Sequence, residues 1–216
     1  MSIPRNLGAF ADNVTSTGTL NVTGINATGT PSGSTVLAGN GSWITPSAGA
    51  MTLISTATAS TSATIDFTGL TSTYKSYVVI ASNVVLASFT NLCLRTSTNN
   101  GTSYDSGASN YNSTYANTGN TTWSGGLSTD DRAYINTDNV DTTTNLGGIS
   151  FTLTLVNPSA ANIATWYTTG FLYGSNIGGF IGGGYRNQTT GAVNAIRFFA
   201  YSGNIKSGTF KLYGIS

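Results

Sequence analysis

Residues Ile149–Val156 read Ile-Ser-Phe-Thr-Leu-Thr-Leu-Val, and this run decides the fold class. Phe151, Leu153 and Leu155 alternate with Thr152 and Thr154. A period of two is the repeat of a β-strand with one face in a core and the other toward solvent. Near the end of the chain Phe210 and Leu212 alternate with Lys211 and Tyr213 in the same way. Half-buried strands of this kind are typical of antiparallel sheets.

Working outward, apolar runs of strand length recur from Met51 onward. They are Met51–Thr56, Ala63–Thr68, Ser76–Leu86, Asn91–Ser97, Arg132–Asn136, Ile149–Val156, Ile163–Tyr173, Gly179–Tyr185, Val193–Tyr201 and Gly208–Gly214. Turn-forming clusters separate most of them, among them Asn99-Asn100-Gly101, Asn157-Pro158-Ser159 and Ser202-Gly203-Asn204. No segment has helical periodicity. Thr, Ser, Asn and Gly supply about half of the chain, a composition of strands and turns, and Glu is absent. The prediction is an all-β chain whose residues 50–216 form an antiparallel, jelly-roll-like β-sandwich head.

Between these strands, Asn99–Asp131 is long and polar, with Tyr104, Tyr111, Tyr115 and Trp123 set among Asn, Ser, Thr and Gly. It reads either as a large loop excursion or as weakly paired surface strands. Rigid aromatics beside small polar residues also make adaptable binding surfaces, able to stack on sugar rings and bond their hydroxyls. These four aromatics are the candidate ligand-binding residues, with core filling as the competing use.

Before the head, Leu20–Trp43 is uncharged, punctuated by glycine, and carries Leu20, Val22 and Ile25 in strand-like phase. Such pieces are too short to bury their apolar sides within one chain. Residues 17–49 therefore read as a short intertwined β-stalk and neck that needs copies of itself, with Leu20, Val22 and Ile25 toward a common axis. Gly39-Asn40-Gly41-Ser42-Trp43 predicts a tight turn, after which Trp43 seats the transition into the head. Residues 1–16 lack a clear period; Leu7 and Phe10 form a candidate anchor into a larger assembly, and a disordered terminus is the alternative.

Several function classes are excluded or disfavoured. Hydrophobic residues make up 39% of the chain and charged residues only 7%, with net charge +1. There is no basic footprint for nucleic acid, and no apolar run nears the ~18 residues of a membrane span. The N-terminus lacks the apolar core of a signal peptide. With no His and a single Cys93, neither an imidazole-based triad nor a zinc cluster is available. Cys93 reads as a small buried hydrophobe. Gly178–Gly184 is glycine-rich but opens no helix, so it reads as a tightly crossing strand rather than a phosphate cradle. Asp130, Asp131, Asp138 and Asp141 give the only acidic density; their spacing fits no EF-hand and Arg132 is among them, so a solvated loop is favoured over a calcium site. No enzyme activity, cofactor or metal is expected. A strand-rich chain with so little charge is prone to edge pairing, which an obligate homo-oligomer would satisfy.

The run GTLNVTG (Gly18–Gly24) followed by GNGSW (Gly39–Trp43) resembles the shaft-to-head junctions of tailed-phage fibres. TSTYKSYVVIASNV (Thr71–Val84), LRTSTNNGTSYDSG (Leu94–Gly107) and the closing GTFKLYGIS (Gly208–Ser216) are similar to β-sandwich heads of phage virion proteins. The resemblance implies a homotrimeric virion appendage, assembled in the bacterial host cytoplasm, with an extended N-terminal segment and a jelly-roll-like head. It brings no catalytic residues. Two functions fit: a tail fibre or receptor-binding appendage that binds a host-surface glycan, or a capsid decoration protein docked on the major capsid protein by residues 1–16. A bacterial adhesin is disfavoured by the missing export signal.

Overall fold

A computed structural model of the chain describes residues 28–30, 32–45, 51–119, 122–136, 138–143, 148–156, 158, 164–174, 177–187 and 191–216. For 117–119, 122–128 and 177 it describes the backbone. The chain divides into two units, Met1–Gly49 and Ala50–Ser216.

In the first unit, β1 (Val36–Leu37) and β2 (Trp43–Ile44) pair antiparallel. The Ala38 N–H donates to Ser42 O at 2.8 Å, and Gly41 takes φ +78°, which a side chain would oppose. The turn read from Gly39–Ser42 is therefore present. Trp43 is half-buried, and its N–H donates to Thr28 O at 2.7 Å. Val36, Leu37 and Ile44 are exposed. Leu7, Phe10, Leu20, Val22 and Ile25 lie outside the described residues.

The second unit is all-β, with no helix among the described residues. Its strands are β3 (Met51–Ser62), β4 (Thr64–Thr68), β5 (Ser76–Leu86), β6 (Leu92–Ser97), β7 (Tyr111–Gly119), β8 (Thr122–Asp130), β9 (Ala133–Tyr134), β10 (Ile149–Val156), β11 (Thr165–Tyr173), β12 (Ile177–Arg186), β13 (Ala195–Ala200) and β14 (Ile205–Ile215). Eight form one antiparallel sheet in the order β3-β14-β5-β10-β11-β12-β7-β8. Four form a second in the order β4-β13-β6-β9.

The alternation read in Ile149–Val156 sets the core. Ile149, Phe151, Leu153 and Leu155 are buried, and they pair across β5 and β11 with Val79, Ala81, Trp166 and Leu172. From the smaller sheet Ile65, Phe67, Leu92, Leu94, Ile196 and Phe198 join the same cluster. Phe198 packs 5.9 Å from Phe151 and 5.3 Å from Phe210, ring centre to ring centre, which ties the sheets face to face. The arrangement is sandwich-like.

Glycines in β11 and β12 answer aromatics on the neighbouring strand. A Cβ at Gly184 would come within 2.8 Å of Trp166 Cζ2 and 2.1 Å of Asn112 O; one at Gly170 would come within 2.6 Å of Phe180 Cζ. Gly184 pairs with Trp166 and Gly170 with Phe180, so each ring lies over the glycine opposite. Gly178–Gly184 is thus part of a strand, with β11 on one side and β7 on the other.

One alternative is decided and one expectation changes. Residues 111–119 and 122–130 of the polar excursion are paired strands, β7 and β8, the second of the two readings given above. Their Gly, Asn and Ser content hid a strand that is recruited by its partner β12, not by its own pattern. β3 also runs to Ser62, well past Thr56, because β14 pairs with it over its whole length.

Truncating the aromatic that joins the sheets should be costly. Phe198→Ala is expected to lower the unfolding free energy by about 3–5 kcal/mol, read from the denaturation midpoint. A loss under about 1 kcal/mol would contradict the central place given to this ring.

Candidate binding surface

On β11 and β12 the outward side of the eight-stranded sheet is built by alternation. On β11, Trp166, Thr168 and Leu172 point into the core while Thr165, Tyr167, Thr169 and Phe171 are exposed. On β12, Phe180 and Arg186 are buried, whereas Ile181 and Tyr185 are exposed. In-register pairing brings Tyr167 beside Gly183, and Ile181 beside Thr169 and Ala116. With no side chain at Gly183, a groove of about 510 Å³ opens, lined by Thr114, Ala116, Tyr167, Thr169 and Ile181. A second hollow of about 360 Å³, bordered by Ile80, Ser150, Thr152 and Phe171, continues it across β10 and β5.

This face has almost no charge. β3, β5, β7, β10 and β11 carry no charged residue at all. On β14, Lys211 lies outward opposite Ile80. What the face offers is aromatic and aliphatic area with scattered hydroxyls, which suits desolvated contact and not acid–base or nucleophilic chemistry.

Charge is instead gathered on and around the smaller sheet. Arg197 grips Asp66 with two hydrogen bonds, 2.8 and 2.6 Å, while its guanidinium stacks 4.0 Å from the Tyr104 ring centre. Arg95 stacks on Phe199 and Arg132 on Tyr201, and both arginines pair with Asp131. Tyr134 donates to Asp130 at 2.9 Å. Partial exposure keeps each such pair to roughly 1 kcal/mol or less. Asp130 and Asp131 are thus taken up by arginines and a phenol, and among the described residues no group of three or more acidic, His or Cys side chains converges to hold a metal.

The four aromatics singled out in the sequence are not brought together. Tyr111 is fully buried, and it donates to Asp105 O at 3.1 Å while accepting from the Thr96 N–H at 2.8 Å. Burial pushes its phenol up to about 12. It belongs to the core and offers no area to a ligand, because its hydroxyl has the backbone of Thr96 and Asp105 to satisfy. Arg186, itself buried, meets Asp105 at 2.6 Å and completes that knot. Tyr104 is beneath Arg197, beside the smaller sheet. Tyr115, half-buried and in register with Gly182, borders the groove. Trp123 pairs with Thr118 at the far end of the hairpin, and its side chain lies outside the described residues.

Sequence reasoning missed Tyr167, Phe171, Ile181 and Tyr185. The signal was present but two-sided: in Thr165–Tyr173 both phases of the alternation hold aromatic or aliphatic residues, so the pattern did not say which faces out. Comparison with protein-family models and with curated protein sequences gives no match.

Cys93 is fully buried, and burial pushes its thiol up to about 12. At pH 8 it should not react with a soluble aromatic disulfide in the native protein, and one thiol per chain should appear on unfolding. Prompt reaction in the native state would contradict its placement.

Proposed function

We propose that the chain is a structural phage virion protein, a homotrimeric tail fibre or receptor-binding appendage whose head engages a host-surface glycan. One observation carries the reading: among the described residues, each unit by itself has exposed apolar surface. In the first it is Val36, Leu37 and Ile44 around the Gly39–Ser42 turn; in the second it is Tyr167, Phe171, Ile181 and Tyr185 on the weakly charged side of the large sheet. Chains of this kind are completed by copies of themselves. The phage setting comes from the resemblance of Gly18–Gly24, Gly39–Trp43 and the closing Gly208–Ser216 to virion fibre proteins.

Strand order supports the jelly-roll-like reading of the head. Leaving aside β7, β8, β11 and β12, what remains is β3-β14-β5-β10 facing β4-β13-β6-β9. That is first, last, third and sixth against second, seventh, fourth and fifth, the interleaving of a jelly roll. The four other strands extend one sheet. The reading includes no catalytic role, cofactor or metal. Weak contacts on several heads would act together through effective concentration.

Antibody against the purified chain, followed by electron microscopy on virus particles, tests the assignment. Label at the tail is the expected result. Label on the icosahedral shell would give the protein to capsid decoration, with residues 1–16 as the dock. Particles without label would contradict a virion role.

A further inference from the structure

We infer that the outward face of the eight-stranded sheet, centred on Tyr167, Phe171, Ile181 and Tyr185, is where the heads of neighbouring copies meet. The inference rests on the homo-oligomeric reading above and names the surface that reading leaves open.

Area comes first. Eight strands spaced about 4.8 Å apart and about nine residues long present a face of about 1,000 Å². A stable interface needs about 800 Å² from each partner. Tyr167 and Phe171 are 54% and 55% exposed, Ile181 49% and Tyr185 39%, all on two adjacent strands. Monomeric proteins seldom leave so large an apolar patch in water.

The occupant follows from charge. A nucleic acid or a charged protein would find little to answer it here: among the described residues of the strands that form this side, the exposed charges are Lys206 and Lys211, both on β14. A neutral glycan would ask for planar amide or carboxylate side chains, and the groove wall has none, only hydroxyls of threonine and tyrosine. A second copy brings the same aromatic surface, free of charge on β11 and β12 apart from the inward Arg186, and needs no compensating charge at its centre. Depletion of charge at the centre is also what distinguishes permanent subunit contacts.

An edge supports the same partner. β3 ends the large sheet and pairs only with β14 among the described strands. Its twelve residues contain no proline and no charge, and Met51, Leu53 and Ile54 are exposed. Natural edges of this length are protected by lysine, proline or a cover. Here the first two are missing, and a neighbouring copy supplies the third. The face and the β3 edge are continuous, so one contact covers both.

Hydroxyl-radical footprinting of the full chain tests the inference with a built-in reference. Tyr201 is 53% exposed and packs beside Arg132 and Tyr134, away from this face, so within one chain it and Tyr167 should react alike. In the assembled protein Tyr167 is expected to react about five-fold or more slowly than Tyr201, the protection of a desolvated interface core. In the double variant Phe171→Lys, Ile181→Lys, checked for native circular dichroism, the two rates should become equal. A three-chain mass with Tyr167 reacting like Tyr201 overturns this interface and leaves the trimer standing. A one-chain mass overturns both. Protection of Tyr167 only after host polysaccharide is added would give the face to a sugar and also overturns the inference.

Discussion

Packing of Phe198 against Phe151 and Phe210 is the contact on which the head depends. It joins two sheets of unequal size, and that inequality decides the rest. The four-stranded sheet covers one side of the larger sheet. A strand alternates, so every inward residue on β10, β11 and β14 commits its neighbours to the opposite side. That opposite side holds Tyr167, Phe171, Ile181 and Tyr185, all exposed. Burial on one face has produced exposure on the other.

Within the sandwich, close approach is achieved by omission. Trp166 lies over Gly184 and Phe180 over Gly170, so two large rings fit where two side chains have been left out. The same glycine-rich strand presents Gly183 outward and leaves a groove beside Tyr167. A sequence feature that could suggest a phosphate loop is therefore a packing device on one face and a shaping device on the other. At the end of β12, Arg186 reaches Asp105, and Tyr111 secures the same loop through its hydroxyl. The 99–110 segment is held by buried hydrogen bonds, although its composition reads as solvent-exposed.

Residues with one-sided alternation were legible in the sequence. Ile149–Val156 and Phe210–Tyr213 announced both the strands and their inner face, and Gly39–Ser42 announced its turn. Legibility failed where a strand's identity came from its neighbour. Tyr111–Asp130 has little pattern of its own, and only pairing with β12 makes it sheet. It failed again where both faces are apolar, as in Thr165–Tyr173, since hydrophobicity cannot choose a side when each carries aromatic or aliphatic residues. The aromatic count in Asn99–Asp131 suggested a surface, but Tyr111 serves the core and Tyr104 serves Arg197. Aromatic residues in a chain with so little charge do the anchoring that ion pairs do elsewhere.

Low charge unites the two units. The hairpin at Val36–Ile44 and the large sheet both present area that water does not favour, in a chain with only 7% charged residues. Self-association, as proposed above, would resolve both at once, and it is the central claim. Sedimentation of the full-length chain at low micromolar concentration tests it most directly. The account predicts a single species of about 67 kDa, three times the 22.2 kDa chain, that persists on dilution. A single species at 22.2 kDa would contradict it.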